Sequence, residues 1–406
     1  MKIAFISDIH FGKLSCTSEF SVPGEEIAVD EKNAAAFSAG LINLLRENDV
    51  DYLFIAGDLT SCGSPQEFYY CEDKILEIAD KASIKLDNIF CAMGNHDIDW
   101  NIIDLAKQTD NKNEDVKTII LNKYQSIAYN APNSVLIRMP RPQILGPMPF
   151  SGIIERDFIL FVLNSSCFCS PSQYNKHGRL DNEQLIWFED KLKKYENDPR
   201  TKIVMLHHHP IHYPYPIICE DPSLLEEGSE LVSICGKYGV NMILHGHRHH
   251  PRVKTDMENG WKHPITFICA GSLSVESKHR SDGTIPNTAH IIDMSQAPAC
   301  FVLYNYEYSK TKGWIPLRDN REETPIDAKM RLGKVFNESE LITAISECVV
   351  AAENPIIVQY DNLPEPLLYC TYNRLNHLVA EVLSSDYIIC GRFPDIVSFT
   401  RKEEKV

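Results

Sequence analysis

The sequence predicts an α/β fold, and two observations support this prediction. Short runs rich in β-branched and aromatic residues recur along the chain, and five of them end where polar residues begin: KIAFIS, DYLFIA, NIFCAM, KIVML and NMIL. Between the first three runs lie segments with apolar residues at helical spacing. In open α/β sheets, ligands bind beyond the carboxyl ends of the strands, so we expect the polar residues after these runs to converge.

Five polar motifs follow these runs and carry side chains that bind metal ions. The motifs are Asp8-x-His10, Gly57-Asp58, Gly94-Asn95-His96-Asp97, His207-His208-His209-Pro210 and Gly246-His247-Arg248-His249. Aspartate, asparagine and histidine are hard and borderline ligands suited to manganese, iron or zinc. No cysteine joins the set, which argues against a structural zinc cluster. Together the motifs predict a site for two metal ions.

Helices are predicted between the early motifs and further along the chain. Apolar residues at helical spacing predict helices over 31–47 and 66–81, each linking consecutive strands. The largest insertion, residues 99–150, contains a helical pattern at 116–131 and either shapes the substrate pocket or covers a sheet edge. Further elements are a strand at 157–163, an amphipathic helix at 181–195, strands at 265–270 and 289–294, and a final edge strand at 301–308.

The last part of the chain is predicted to form a separate unit. The polar segment LRDNREETP begins near residue 318 and predicts a linker, so we divide the chain into a main domain at 1–310 and a C-terminal unit at 318–406. Two helical patterns and the apolar runs IIVQY and YIIC predict either a small α+β unit or a helical appendage. We find no catalytic motif in it. A role in binding a protein partner or in self-association is a hypothesis.

The motifs carry a family resemblance. SDIHFG, GDLT, GNHD, LHHHP and GHRHH occur in the order typical of calcineurin-like metallophosphoesterases, and the chain resembles the cyclic nucleotide phosphodiesterase branch of that superfamily. The resemblance covers roughly residues 1 to 295 and implies a two-sheet αββα sandwich with two divalent or trivalent transition-metal ions. It assigns one ion to Asp8, His10 and His249, the other to Asn95, His208 and His247, and a bridging position to Asp58.

The resemblance also selects among the histidines. The family pattern is His-x-Pro, and Pro210 fixes the register, so His208 is the predicted ligand. His207 and His209 are less favoured, since neighbours on an extended segment point to opposite faces. His96 is expected to act on the substrate phosphate as an acid or hydrogen-bond donor, with Asp97 orienting its ring.

The implied function is hydrolysis of small phosphodiesters such as cyclic nucleotides by a metal-bridging hydroxide. One alternative is a nuclease of the same superfamily that acts on single-stranded or end-exposed nucleic acid, and another is a non-catalytic protein-binding scaffold. A net charge of −16 without a basic tract argues against binding to duplex nucleic acid. Because the same kind of site cleaves both ester types, the sequence leaves phosphomonoester hydrolysis open.

The cellular compartment is inferred from the cysteines and the start of the chain. Most of the 13 cysteines lie in apolar runs, where a reduced cysteine such as Cys269 packs as a small hydrophobic residue. His245 and His250, which flank the last motif, are interpreted as structural. The first predicted strand begins at Lys2, which leaves no room for a cleavable signal peptide. With no apolar run long enough for a bilayer, we expect a cytoplasmic protein that does not enter the membrane.

Overall fold

The computed structural model describes residues 1–25, 36–99, 142–148, 150–166, 169, 177–213, 223–280, 285–318, 326–350 and 354–402. These residues form two seven-stranded sheets, a three-stranded sheet and helices. The prediction of an α/β, two-sheet sandwich is confirmed, and the C-terminal unit, predicted to be either α+β or helical, contains both helices and a sheet. The helix predicted at 116–131 lies outside the described residues. Within the described ranges, no helix is long and apolar enough to cross a membrane.

The first sheet combines parallel and antiparallel strands. It contains β1 (Lys2–Ile6), β2 (Tyr52–Ala56), β3 (Ile89–Ala92), β11 (Thr288–Asp293), β12 (Phe301–Ser309), β13 (Gly313–Pro316) and β14 (Lys329–Leu332). The order is β13-β12-β11-β1-β2-β3, and β14 also pairs with β12. Strands β1, β2 and β3 are parallel. The prediction that 301–308 is an edge strand is wrong, because β13 and β14 both pair with the free side of β12.

The second sheet is parallel at its centre. It contains β4 (Ile144–Leu145), β5 (Gly152–Glu155), β6 (Phe158–Val162), β7 (Thr201–Met205), β8 (Met242–His245), β9 (Arg252–Asp256) and β10 (Ile265–Cys269). The order is β4-β5-β6-β7-β8-β10-β9, with β6, β7, β8 and β10 parallel. The carboxyl ends of β7 and β8 therefore lie side by side.

The sheets pack face to face, and helices cover their outer faces. Alternation along β1 shows this arrangement, since Phe5 lies in the core between the sheets and Ile6 faces the helices. The helices are α1 (Phe37–Glu47) and α2 (Pro65–Lys81) on the first sheet, and α3 (Asn182–Lys194) and α4 (Gly228–Tyr238) on the second. Helix α2 begins at a capping box formed by Ser64 and Glu67. The result is a four-layer αββα sandwich.

The C-terminal unit has a core of its own. It contains α5 (Glu338–Glu347), α6 (Tyr372–Leu383) and a sheet of β15 (Ile356–Val358), β17 (Val397–Arg401) and β16 (Tyr387–Cys390). Ile345, Leu375 and Phe399 belong to one buried cluster within it. The first sheet continues to Leu332 through β14, beyond the linker predicted near 318. The division of the chain into two domains stays a prediction.

Replacing a core side chain of the C-terminal unit tests this division. Phe399 is 1% exposed, and Phe399→Ala should destabilise the unit by about 3–5 kcal/mol, the usual cost of removing a buried phenylalanine. Hydrogen exchange should then accelerate across 338–402, while amides of β1 keep their protection. Phe188→Ala, which removes a fully buried ring beneath the second sheet, is the matched control and should show the opposite pattern. Equal acceleration in both regions for both variants would mean that the chain unfolds as one unit.

Candidate metal centre

Seven side chains from five strand ends meet between the two sheets. The first sheet contributes residues after β1, β2 and β3, and the second contributes residues after β7 and β8. They are Asp8, His10, Asp58 and Asn95 from the first sheet, and His207, His247 and His249 from the second. Parallel strands end on one side of a sheet, which is why motifs so distant in sequence become neighbours.

Asp8, His10, Asp58 and His249 form the first cluster, with one ligand atom of each within 4.8 Å of the others. The Nε2 atoms of His10 and His249 lie 3.2 Å apart. Nε2 of His10 is also 3.3 Å from Oδ2 of Asp58, and Nε2 of His249 is 3.2 Å from Oδ1 of Asp8. Two carboxylates and two imidazole nitrogens therefore face a common point.

Asp58, His207 and His247 form the second cluster, and the Asn95 amide adjoins it. Nε2 of His207 lies 3.2 Å from Oδ2 of Asp58, 3.1 Å from Oδ1 of Asn95 and 3.1 Å from Nδ1 of His247. The Oδ2 atom that faces the first cluster therefore also faces the second. Asp58 therefore lies between the two clusters.

His208, the predicted ligand, lies beside the second cluster with both ring nitrogens in other contacts. Its Nδ1 is 2.9 Å from the Ser165 hydroxyl and its Nε2 is 3.7 Å from Sγ of Cys169. Burial, followed by the nearby His207 ring, holds the pKa of His208 well below its ordinary value. The position that the sequence analysis gave to His208 is filled in the structure by His207.

Alternation along β7 explains why His207 points into the cluster. Met205 packs in the core between the sheets, whereas Leu206 faces the helices on the other side. A period of two then places His207 on the same face as Met205, toward the first sheet and Asp58. The alternation along β7 thus indicates from the sequence that His207 shares a face with Met205. Which face of β7 points toward the first sheet is known only from the tertiary structure.

Main-chain carbonyls fix the tautomers of two histidines. Nδ1 of His207 is 2.7 Å from the Ala56 carbonyl oxygen, and Nδ1 of His249 is 3.2 Å from that of His279. A carbonyl only accepts, so each Nδ1 carries the proton and donates it. In the neutral form of each ring, Nε2 then has the lone pair directed into the clusters. This is the usual arrangement of histidines that bind metals.

Burial and nearby charges have opposite effects on the pKa values of the cluster residues. Burial alone would raise the pKa of Asp8, but hydrogen bonds with His10 and His249 hold it well below its ordinary value. Burial also opposes protonation of His10, yet the Asp58 and Asp8 carboxylates raise its pKa to about 10. In the same way, burial opposes protonation of His207, and Asp58 raises its pKa to about 9. The clusters therefore attract positive charge strongly.

The backbone of the clusters is bent into a conformation that ordinary residues rarely adopt. The φ angles are positive at five cluster residues: Asp8 (52°), His10 (49°), Asp58 (50°), His247 (78°) and His249 (54°). Such conformations cost of order 1–3 kcal/mol each and concentrate at functional sites. Glycines allow the close approach of the segments, since a Cβ on Gly246 would overlap Ser7 and Asp8 and a Cβ on Gly94 would overlap Asp58.

His96 adjoins the clusters, and main-chain groups orient it. Its backbone N–H donates to Oδ1 of Asp58 at 2.8 Å, and its Nδ1 lies 2.9 Å from the Ser61 carbonyl oxygen. Its ring centroid is 4.7 Å from that of His10. Burial lowers the pKa of His96, which Asp58 partly opposes. Because Nδ1–H donates to Ser61, Nε2 is the atom at which His96 gains or loses a proton.

Asp97 supports the turn that carries His96. Its carboxylate accepts hydrogen bonds from the backbone N–H groups of Thr60 and Gly94, each at 2.9 Å. Burial, together with the neighbouring Asp58 carboxylate, raises the pKa of Asp97 to about 7. The sequence analysis expected Asp97 to orient the His96 ring directly. In the structure, these hydrogen bonds link Asp97 to the loops after β2 and β3.

The residues present fit a pair of metal ions. The donors are carboxylate oxygens, an amide oxygen and imidazole nitrogens, which suit manganese, iron or zinc. Nδ1 of His10 is buried and has no hydrogen-bond partner in the described part of the chain. Its other ring nitrogen, Nε2, faces Asp58 and His249 in the first cluster.

Comparisons with known proteins identify the family of the chain. The family model described as calcineurin-like phosphoesterase matches residues 1–251. Purple acid phosphatase PPD1 from yellow lupin (Lupinus luteus) seeds aligns over 82% of this chain and 53% of its own, with a TM-score of 0.50 and 12% identity. A dimetal phosphatase from Danio rerio aligns over 75% of this chain and 95% of its own, with a TM-score of 0.44 and 10% identity. No curated protein sequence matches the chain.

The lupin phosphatase supports the fold alone, and the chain spans about half of its length. The family match covers more than half of the 406 residues and includes every cluster residue. The five motifs, the four-layer sandwich and the family match lead to one conclusion. The chain belongs to the calcineurin-like phosphoesterases.

Proposed function

We propose that this phosphoesterase is a metal-dependent phosphodiesterase that hydrolyses small phosphodiesters such as cyclic nucleotides. The observation that carries the proposal is the shared position of Asp58, whose Oδ2 lies 3.3 Å from Nε2 of His10 and 3.2 Å from Nε2 of His207. A buried carboxylate between two groups of imidazole nitrogens is suited to bridge two cations. The proposed ligands are Asp8, His10, Asp58 and His249 for one ion, and Asp58, Asn95, His207 and His247 for the other.

His207 replaces His208 in this proposal. Its Nδ1 donates to the Ala56 carbonyl and its Nε2 faces Asp58, whereas the ring nitrogens of His208 face Ser165 and Cys169. We assign His208 a supporting role. Ser165 is the link, because its hydroxyl oxygen also accepts from the backbone N–H groups of His207 and His208.

Two ions held by these residues would lower the pKa of water and neutralise charge on phosphoryl oxygens. The protein supplies the orientation. The N–H of His247 donates to both oxygens of Asp8, at 3.2 and 3.0 Å, which fixes the plane of that carboxylate. The N–H of His96 fixes Asp58 in the same way, through Oδ1. The ligand geometry is thus set by the backbone before an ion binds.

His96 is the proposed acid. The Ser61 carbonyl accepts from Nδ1–H, so Nε2 is the ring nitrogen that would carry the acidic proton and pass it to the leaving alkoxide. Burial lowers the pKa of His96, and the Asp58 carboxylate opposes this decrease. Charge near the ring therefore decides whether it is protonated. Substrate binding brings a negative phosphate to this point and favours protonation of Nε2.

Overall charge supports a diester over a monoester. A phosphodiester carries one negative charge, whereas a phosphomonoester carries about two at neutral pH. The chain has a net charge of −16, which repels the more highly charged substrate more strongly. The same charge disfavours duplex nucleic acid. A cytoplasmic location and a partner for the C-terminal unit remain predictions from sequence.

The choice between His207 and His208 is open to direct measurement. We expect His207→Ala to weaken binding of one ion by more than about 100-fold, since even outer partners of metal ligands contribute about 10–100-fold. Metal analysis after dialysis at limiting free metal should give one ion per chain fewer than in the wild type. His208→Ala is the matched control: as an outer partner, it should weaken metal binding by no more than about 10–100-fold and keep the wild-type ion content at a free metal concentration at which His207→Ala has lost an ion. The reverse pattern would restore His208 as the ligand.

The role of His96 is tested with His96→Gln. Glutamine can still donate a hydrogen bond but cannot deliver a proton, so kcat for an alkyl phosphodiester should fall by about 10²–10⁴-fold while both ions stay bound. With a p-nitrophenyl diester, whose leaving group needs no proton, the loss should be much smaller. Equal losses on both substrates would show that His96 does not protonate the leaving group.

Substrate class is tested by parallel assays on a cyclic nucleotide, a linear dinucleotide, a nucleoside monophosphate and single-stranded DNA. We expect the highest kcat/KM for the cyclic nucleotide. Asp58→Asn, which removes the shared carboxylate charge, gives the background and should be inactive on all four. A higher kcat/KM for the monophosphate would make the protein a phosphomonoesterase, and one for single-stranded DNA would make it a nuclease.

A further inference from the structure

We infer that His209, His245 and Cys269 form a third metal site, separate from the paired one, for a single divalent ion such as zinc. One ring nitrogen of each histidine and Sγ of Cys269 lie within 4.8 Å of one another. All three side chains are buried. His209 follows β7, His245 ends β8 and Cys269 ends β10, so three adjacent parallel strands deliver them to one place. None of the three belongs to the clusters around Asp58.

Unsatisfied ring nitrogens point to a missing ligand. Both ring nitrogens of His209 and Nδ1 of His245 are buried and have no hydrogen-bond partner among the described residues. A buried polar group without a partner is unfavourable. A cation bound beside the thiol would take one nitrogen of each ring, since neutral imidazole and thiolate are both zinc donors.

The His245 ring is held as metal-binding histidines are held. Nε2 of His245 lies 2.8 Å from the Tyr213 hydroxyl, a partner of the kind that fixes the orientation of a ligand ring. The His209 and His245 rings are in edge contact, with centroids 4.7 Å apart. Donor atoms around tetrahedral zinc are separated by about 3.4 Å, so side-chain shifts of about 1 Å would close the site.

The thiol must give up its proton when the ion binds. Burial raises the pKa of Cys269 to about 12, and the charges of Arg252 and Arg248 oppose this increase only in part. Cys269 is therefore protonated in the metal-free chain, and its Sγ–H faces the Gly246 carbonyl oxygen at 3.5 Å. Binding of the ion would release that proton to solvent and leave a metal thiolate.

The site would brace the segment that presents His247. His245 is two residues before His247, and the rings of His209 and His247 have centroids 6.4 Å apart. An ion held by His209, His245 and Cys269 would tie the ends of β7, β8 and β10 together beneath the paired site. Its role is structural, because no part of the proposed reaction needs it.

Cobalt substitution of the full chain tests the inference. A thiolate bound to Co²⁺ produces a charge-transfer absorption in the near ultraviolet, whereas a site of nitrogen and oxygen donors does not. We expect this absorption and three ions per chain in the wild type. Cys269→Ser should lose the absorption and one ion, while Cys235→Ser, which changes a buried thiol in α4, should lose neither.

Three outcomes would overturn the inference. The wild type could bind two ions and show no thiolate absorption, or the absorption could persist in Cys269→Ser. In the third outcome, the absorption disappears in Cys169→Ser and not in Cys269→Ser. The last outcome would place the ion beside His208, whose Nε2 is 3.7 Å from Sγ of Cys169. The proposed phosphodiesterase activity is tested separately. His207→Ala should keep the absorption although it loses an ion from the paired site.

Discussion

The site depends on the burial of two carboxylates. Asp8 and Asp58 are 0% and 1% exposed, and an uncompensated buried carboxylate is several kcal/mol less favourable than one in water. In the metal-free chain, the compensation comes from imidazoles, which is why the pKa values of His10 and His207 rise to about 10 and about 9. Cations in the two clusters would take over that role. The left-handed turns and the close approach at Gly246 bring the opposite charges together.

Much of this arrangement follows from local sequence. Each metal-binding motif comes after a short apolar run, and the runs are strands because β-branched and aromatic residues favour pleated, buried positions. Asp8, His10, Asp58, Asn95, His247 and His249 could therefore be placed together before the structure was known. The two helical patterns predicted in the C-terminal unit are present as α5 and α6, since a regular apolar face defines each of them.

The features that could not be predicted from the sequence depend on tertiary contacts. His207 and His208 are equivalent by residue type, and only the packing of Met205 between the sheets decides which of them faces Asp58. Strand β14 has the sequence KMRL, in which two charged residues obscure the apolar pattern of a strand. It is a strand because it pairs with β12, which is distant in the sequence. For the same reason, β12 was mistaken for an edge.

The seven residues of the candidate metal centre come from both sheets of the sandwich. The first sheet supplies Asp8, His10, Asp58 and Asn95, and the second supplies the histidines after β7 and β8. Ions bound there would cross-link the two halves of the fold, much as a disulfide joins two segments. With free ion at a hundred times its Kd, such a link would add about 2.7 kcal/mol to the stability of the folded chain. The site that performs the chemistry would thereby also hold the sandwich closed.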